Sequence, residues 1–313
     1  DHKLSCVEIR ADLLINNGTS VDDVVELVRE TKIKGLNCLF TLRHPDHGGE
    51  FFGTEEERVL INQAVLEVGA DIIDMEWGTE ALVAMADKNA PIVISHHDFK
   101  AMPSIEVLEE LTSEMESFYP DAIKVVPTSS TLAHSVQMLQ WVGNRTRDIA
   151  RIGFAMGQKG TCSRIMTTVY GAPITYASFG DAVAPGQLSM DALINCYRVS
   201  ELNDGCLVYG VAGKDVNHSR ELEVMNQQLK KKQLNAVCIP LESLELDELL
   251  VVLEDLKIKG IQLENPLKEI AIEKFYGSGS FPGTSVFMEI SSLNGKQEIN
   301  IHPISGEKFV EHL

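Results

Sequence analysis

The chain has 313 residues, 44% of them hydrophobic, and a formal net charge of -19. That length supports one large domain or two ordinary ones with a full core. The acidity repels phosphate backbones and anionic membranes, and an aromatic content of 6% gives little to stack bases on, so nucleic acid and membrane are excluded as partners.

In chain order, the apolar runs "CVEI", "LNCLFTL", "DIIDM", "PIVIS", "AIKVV", "RIGFAM" and "PITYA" read as strands. Amphipathic helices lie between them, beginning near Ser20, Thr54, Thr79, Ser104, Ser129 and Cys162. Several start on a Ser or Thr cap with acids in the first turn, as in "TSVDD" and "TEEER". Strand-helix alternation means parallel βαβ units. The predicted strands fall one short of a (β/α)8 TIM-type barrel, whose first strand-helix unit is missing here. The chain opens abruptly with "DHKLSCVEIR", almost directly into a strand, as a piece of something longer would. Near Asn203-Asp204-Gly205 the rhythm resets. "CLVYGVAG", "NAVCIPL" and "KGIQL" read as strands, separated by the helices "SRELEVMNQQLKKKQL" and "LDELLVVLEDLKI". The expected α/β architecture is thus a barrel over 1–203 and a smaller, incomplete α/β domain over 204–313.

No apolar stretch is long enough to cross a bilayer, and no secretory leader is visible. None of the six cysteines sits in a CxxC pair. Cys6, Cys38 and Cys238 fall in apolar runs and read as small buried hydrophobes, which points to a reducing, cytoplasmic setting. The basic run "LKKKQ" sits in a helical pattern and reads as a solvated face.

Polar residues cluster where the strands end: Glu8 and Arg10, Arg43, His96 and His97, Lys124, then Arg164. In barrels of this kind active sites lie at those ends. Lys124 is the residue least expected in its place, a cation inside the apolar run "AIKVV". A lysine in a strand ordinarily snorkels or is paired. A desolvated amine, however, is pushed toward its neutral form, a nucleophile able to form a Schiff base with a ketone. His97 supplies a base near neutral pH. His96, one residue away, faces the opposite side of the strand. Glu8 and Arg10, two apart, share a face and also fit an ion pair along the strand.

Six ordered motifs carry a resemblance. "VEIRADLL", "LFTLR" with "HGGEF", "SHHDF", "AIKVV", "MGQKGTCSR" and "APGQ" together resemble type I 3-dehydroquinate dehydratase from residue 5 to 200. The resemblance implies a cytoplasmic lyase of the shikimate pathway that turns 3-dehydroquinate into 3-dehydroshikimate and water. It implies Lys124 as the Schiff-base residue and His97 as the acid-base group. Arg164 and Gln187 would hold the substrate carboxylate, Glu8, Arg10 and Arg43 its hydroxyls, and Met156 and Phe154 would form apolar walls. No metal or other cofactor is implied, the partner is the small-molecule substrate, and a homodimer is the expected assembly. Two readings stay open beside it: another Schiff-base barrel lyase, and a binding or scaffold module.

Some positions depart from the family pattern. His47 stands where a Glu usually precedes the paired glycines, and Val183 where the lid motif usually has Ser. The stretch "YGVAGKDVNHSRELEVMNQQL", with "KGIQLENPLKE", resembles the substrate-binding region of shikimate dehydrogenase. There Ser219 and Lys268 match, but Glu221 and Glu264 stand where Ser and Thr are expected. An added carboxylate repels an anionic substrate. No G-x-G-x-x-G follows, so a remnant without hydride transfer is expected of this half.

Overall fold

A computed structural model describes residues 6–86, 90–145, 148–180, 186–277, 280–293 and 296–312. In chain order its elements begin with β1 (Cys6–Arg10), α1 (Ala11–Asn16), α2 (Val21–Ile33), β2 (Asn37–Thr41), α3 (Glu55–Glu67) and β3 (Ile72–Glu76). Next come α4 (Glu80–Ala86), β4 (Ile92–Asp98), α5 (Ile105–Glu116), β5 (Ala122–Pro127), α6 (Leu132–Gly143), β6 (Ala150–Gly153) and α7 (Thr161–Met166). The remainder is β7 (Leu207–Gly213), α8 (Arg220–Lys231), β8 (Ala236–Glu242), α9 (Leu246–Val251), β9 (Ile258–Leu263), α10 (Leu267–Phe275), β10 (Val286–Leu293), β11 (Lys296–His302) and α11 (Gly306–Glu311). The chain forms two compact units, 1–127 with 145–152 and 128–144 with 153–313.

The first sheet has six strands in consecutive order, β1 to β6. Each pair whose register is defined, from β1–β2 to β4–β5, is parallel. This is the curled α/β arrangement expected, but the sheet does not close among the described residues: β1 and β6 are its two ends. The predicted strand "PITYA" is not one. Within it Pro173 has no N–H to donate, and just beyond it Ser178 finds a single bridge partner, Ser189. A strand needs a neighbour along its length.

Local chemistry explains the helices. Ser20, Ser104 and Thr131 cap α2, α5 and α6, each accepting a first-turn amide. Thr54 and Glu57 form a reciprocal capping box on α3. β5 is buried at every position, as a strand covered on both faces must be.

The second sheet has the order β11-β10-β9-β7-β8, with β7 parallel to β8 and β9, and an antiparallel β9–β10–β11 edge. The segment from about 277 onward, which alternates apolar and polar residues, makes that hairpin. Helices α6 and α7 belong to the core on one face of this sheet: Leu132, Val136, Ile165 and Met166 share a buried cluster with Val237, Ile239 and Leu249. No described helix is long and apolar enough to cross a membrane. Cys38 and Cys238 are buried as expected, whereas Cys6, near the start of the sheet's end strand β1, is half-buried.

Candidate active site

In the first unit, strand register builds the site. Glu76, Ser95 and Lys124 are successive partners across β3, β4 and β5, and Arg10, Thr41 and Asp74 are partners across β1, β2 and β3. Side chains two apart share a face. Ser95 and His97 therefore point the same way as Lys124, and His96 the other way. Lys124 is 4% exposed, and its Nζ lies 3.1 Å from Asp74 Oδ2. Arg43, also buried, donates to Asp74 Oδ1 at 2.7 Å, to Glu76 Oε1 at 3.1 Å and to Ser95 Oγ at 2.7 Å. Ser95 in turn donates to Asp74 Oδ1 at 2.5 Å. Arg58, fully buried on α3, pairs with Glu76 Oε2 and with Glu55 at 2.7 Å.

Buried charges persist only when paired and hydrogen-bonded. Burial pushes the Asp74 carboxyl up, but Arg43 and Lys124 outweigh it and hold it far below the ordinary range. Burial acts against the Arg43 guanidinium too, and Asp74 and Glu76 more than compensate. On His97, burial and then the Arg43 and Lys124 charges push the imidazole pKa well below its usual value, against the pull of Asp74. His97 is thus a neutral base beside an ionised carboxylate and a buried amine. Its ring stacks on Phe99 at 6.3 Å.

His47 sits edge-on to His97 at 6.4 Å and to His96 at 5.9 Å between ring centroids. Burial lowers the pKa of both His47 and His96. The Nδ1 atoms of His47, His96 and His97 are buried with no hydrogen-bond partner among the described residues. The paired glycines after His47 have steric reasons. A Cβ on Gly49 would meet the Arg43 carbonyl oxygen at 2.0 Å, and Gly48 adopts φ 75°. Glu8 and Arg10 do not pair as the sequence allowed. Glu8 accepts from Thr41 Oγ1 at 2.8 Å, while Arg10 grips Asp12 through Nε at 2.9 Å and Nη2 at 2.7 Å.

In the second unit, Arg164 is not a surface residue at the head of its helix. It is 2% exposed, and its guanidinium lies 4.3 Å above the Phe154 ring. Burial pushes its pKa down to about 10. Tyr176 packs on Phe154 at 5.9 Å, and Met156 is buried as a wall residue would be. Gly186 returns to Gly157, where a Cβ would meet the Gly157 carbonyl oxygen at 2.7 Å. Gln187 lines a cavity of about 1000 Å³ with Thr161, Asn195 and Ser219. Val183, the altered position of the lid motif, lies outside the described residues.

Further along the same unit, Ser219 caps α8 and donates to Glu264 Oε1 at 2.5 Å. Burial, then Glu264 and Glu307, push the Glu221 carboxyl up. Lys268 Nζ donates to the Thr284 carbonyl at 3.2 Å. Among the described residues no three His, Cys, Asp or Glu side chains converge as metal ligands would.

Sequence reasoning found Lys124, His97 and Arg43, and missed Asp74, Ser95 and Arg58. The available signal was Asp74 and Glu76 at period two on one strand, next to a strand ending in arginine.

Residues 1–204 match the family described as type I 3-dehydroquinase. The chain is 28% identical over 274 residues to the bifunctional 3-dehydroquinate dehydratase/shikimate dehydrogenase, chloroplastic, of Arabidopsis thaliana, covering 85% of this chain and 44% of that protein. It is 33% identical over 201 residues to the 3-dehydroquinate dehydratase of Dehalococcoides mccartyi, covering 61% of this chain and 84% of that one. The solved dehydroquinate dehydratase and shikimate dehydrogenase from S. pombe AroM shares the fold over 94% of this chain and 59% of its own, with a TM-score of 0.53 and 24% identity. The chain thus spans less than half the length of its Arabidopsis relative. By the match to residues 1–204 and the likeness to the shorter bacterial enzyme, the chain belongs to the type I 3-dehydroquinase family.

Proposed function

We propose that the chain dehydrates 3-dehydroquinate to 3-dehydroshikimate through a Schiff base on Lys124. The observation that carries this is a buried lysine held by an ionised Asp74 on the same sheet face as a neutral His97. The amine adds to the substrate ketone and expels its oxygen as water, leaving an iminium. Asp74 lies 3.1 Å from the Lys124 nitrogen, so the iminium cation forms beside a fixed countercharge. The iminium draws electrons from the adjacent C–H bond. His97 accepts that proton, the neighbouring hydroxyl leaves with a proton returned by His97, and hydrolysis of the imine frees Lys124. The net loss is one water. Arg164 and Gln187 hold the carboxylate, while Glu8, Arg10 and Arg43 face the hydroxyls. Phe154 and Met156 wall the ring.

In the same reading, 1–203 forms the dehydratase domain and 204–313 a dehydrogenase-like domain, a division supported by the family match ending at residue 204. The second domain is a remnant: Glu264 takes the hydroxyl of Ser219 that a substrate carboxylate would need, and Lys268 is turned to a backbone carbonyl. The six unbridged thiols of the whole chain suit a cytoplasmic enzyme, and a homodimer is the assembly that light scattering should find. Borohydride added with 3-dehydroquinate should reduce the imine and leave a permanent adduct on Lys124, read by peptide mass. An adduct elsewhere, or turnover surviving Lys124→Ala, would exclude the mechanism. Turnover of other ketones in preference would favour a different Schiff-base lyase.

A further inference from the structure

We propose, resting on the dehydratase reading, that the third of the chain beyond residue 204 serves as a positioning element for the substrate-carboxylate arm, acting through Glu248. Glu248 lies on α9, outside the family-matched residues, yet its carboxylate is occupied by groups from inside them. Oε1 accepts the Leu132 amide at 2.9 Å and Lys159 Nζ at 2.8 Å. Oε2 accepts Lys159 Nζ at 2.7 Å and Ser243 Oγ at 2.5 Å. The Leu132 amide is one of the donors that a helix N-terminus leaves open, so the carboxylate also meets the positive end of α6.

Lys159 is held at both ends, because its carbonyl accepts Ser135 Oγ at 2.7 Å. From Lys159 the constraint runs five residues to Arg164. Ser163 Oγ donates to the Gly160 carbonyl at 2.6 Å and accepts the Ala155 amide at 2.9 Å, which ties the start of α7 to the strand end carrying Phe154. Phe154 is the ring beneath the Arg164 guanidinium. A carboxylate from beyond residue 204 therefore clamps Lys159, and the Ser163 bonds hold the backbone that leads from it to Arg164, the residue that takes the substrate's carboxylate. Burial raises the Glu248 carboxyl, but Lys159, Ser243 and the Leu132 amide together lower it, so the clamp is ionised at working pH. This gives that third of the chain a use that survives the loss of its own anion site at Ser219 and Glu264.

The test uses the full chain. Glu248→Gln keeps the shape and removes the charge. It should raise KM for 3-dehydroquinate about 5- to 20-fold with kcat within about twofold, since a loosened arm weakens binding more than chemistry at saturation. Lys159→Met should do the same, and the double variant should be no worse than either single one. The swap of Glu248→Lys with Lys159→Glu should recover part of the loss. Asp247→Asn, next door on a solvent-exposed pair, should change neither constant. An unchanged KM in Glu248→Gln, or a fall in kcat alone that tracks the folded fraction, overturns the proposal. If the unaltered chain shows no turnover, the dehydratase reading fails by itself. Amide exchange over 157–164 then decides the clamp: faster exchange in Glu248→Gln keeps it, and unchanged exchange removes it.

Discussion

The chain gathers carboxylates in two places, one buried and one half-buried, and treats them in opposite ways. Around β3 to β5, Asp74 and Glu76 are enclosed by Arg43, Arg58 and Lys124, and every charge meets its opposite within hydrogen-bonding reach. Around Ser219, Glu264 accepts from a hydroxyl, and burial, then Glu264 and Glu307, make Glu221 hold its proton more tightly. In the proposed reaction the first arrangement keeps a fixed countercharge beside the nitrogen of Lys124. The second sets like charges near one another, which costs free energy and favours the protonated form of Glu221. The lesson is that what a carboxylate meets, rather than its burial alone, sets whether it gives up or keeps its proton.

That contrast can be broken or sharpened by experiment. The largest effect is expected at its centre. Lys124→Ala should reduce turnover of 3-dehydroquinate by on the order of 10³-fold or more, and His97→Ala by about 10²–10⁴-fold, measured by the absorbance of the conjugated product. Asp74→Asn removes the carboxylate that Arg43 and Lys124 share, leaving Glu76 alone to face the Arg43 guanidinium. It should cost about 3–5 kcal/mol of stability in urea unfolding, and a loss under 1 kcal/mol would mean the charges are not enclosed as described. Glu264→Thr removes the intruding carboxylate. Calorimetry should show no shikimate binding before the change and weak binding after it, with Kd of about 1 mM. Binding by the unaltered chain would erase the distinction between the two regions.

The smallest expected effect is one of pH. His97 has a folded pKa well below its unfolded value of about 6.5, so the unfolded chain binds the extra proton. Its contribution to stability is complete above pH 6.5 and is lost as pH falls toward the folded value. Stability at pH 5.5 should lie about 1 kcal/mol below that at pH 7.5 from this residue alone. Asp74, whose folded pKa is depressed, adds its loss only below its unfolded value of about 3.9. The acid limb of kcat should accordingly fall below pH 6.5. A limb at or above 6.5 would show that His97 is solvated.

Much of the first region was legible because period-two alternation and strand ends announce themselves. Lys124 stood out as a cation in an apolar run, and Arg43 as the residue closing "LFTLR". Asp74 was invisible for the opposite reason, since an acid in "DIIDM" reads as a solvated strand position until its two cationic neighbours are known. Arg58 lies mid-helix, where an arginine ordinarily faces water, and only the packing of α3 beside β3 buries it. The curled parallel α/β sheet was legible in the strand-helix alternation, but that β1 and β6 are its two ends among the described residues was not, because strand count says nothing about whether the last strand has a partner. The core shared by α6, α7 and the second sheet joins segments too far apart in the sequence for any periodic pattern to reveal.

That shared core bears on how the polypeptide emerges during synthesis. The first sheet pairs each strand with its immediate successor and can zip up in the order in which residues leave the ribosome. The oily sides of α6 and α7 have no such luck. Their cover, β8, is translated about 70 residues after α7 ends, a delay of several seconds at ordinary elongation speed. In that interval a nascent chain offers two sticky helices to anything nearby, which makes the stretch before β8 the natural moment for a chaperone to engage and the most dangerous place for a premature stop codon.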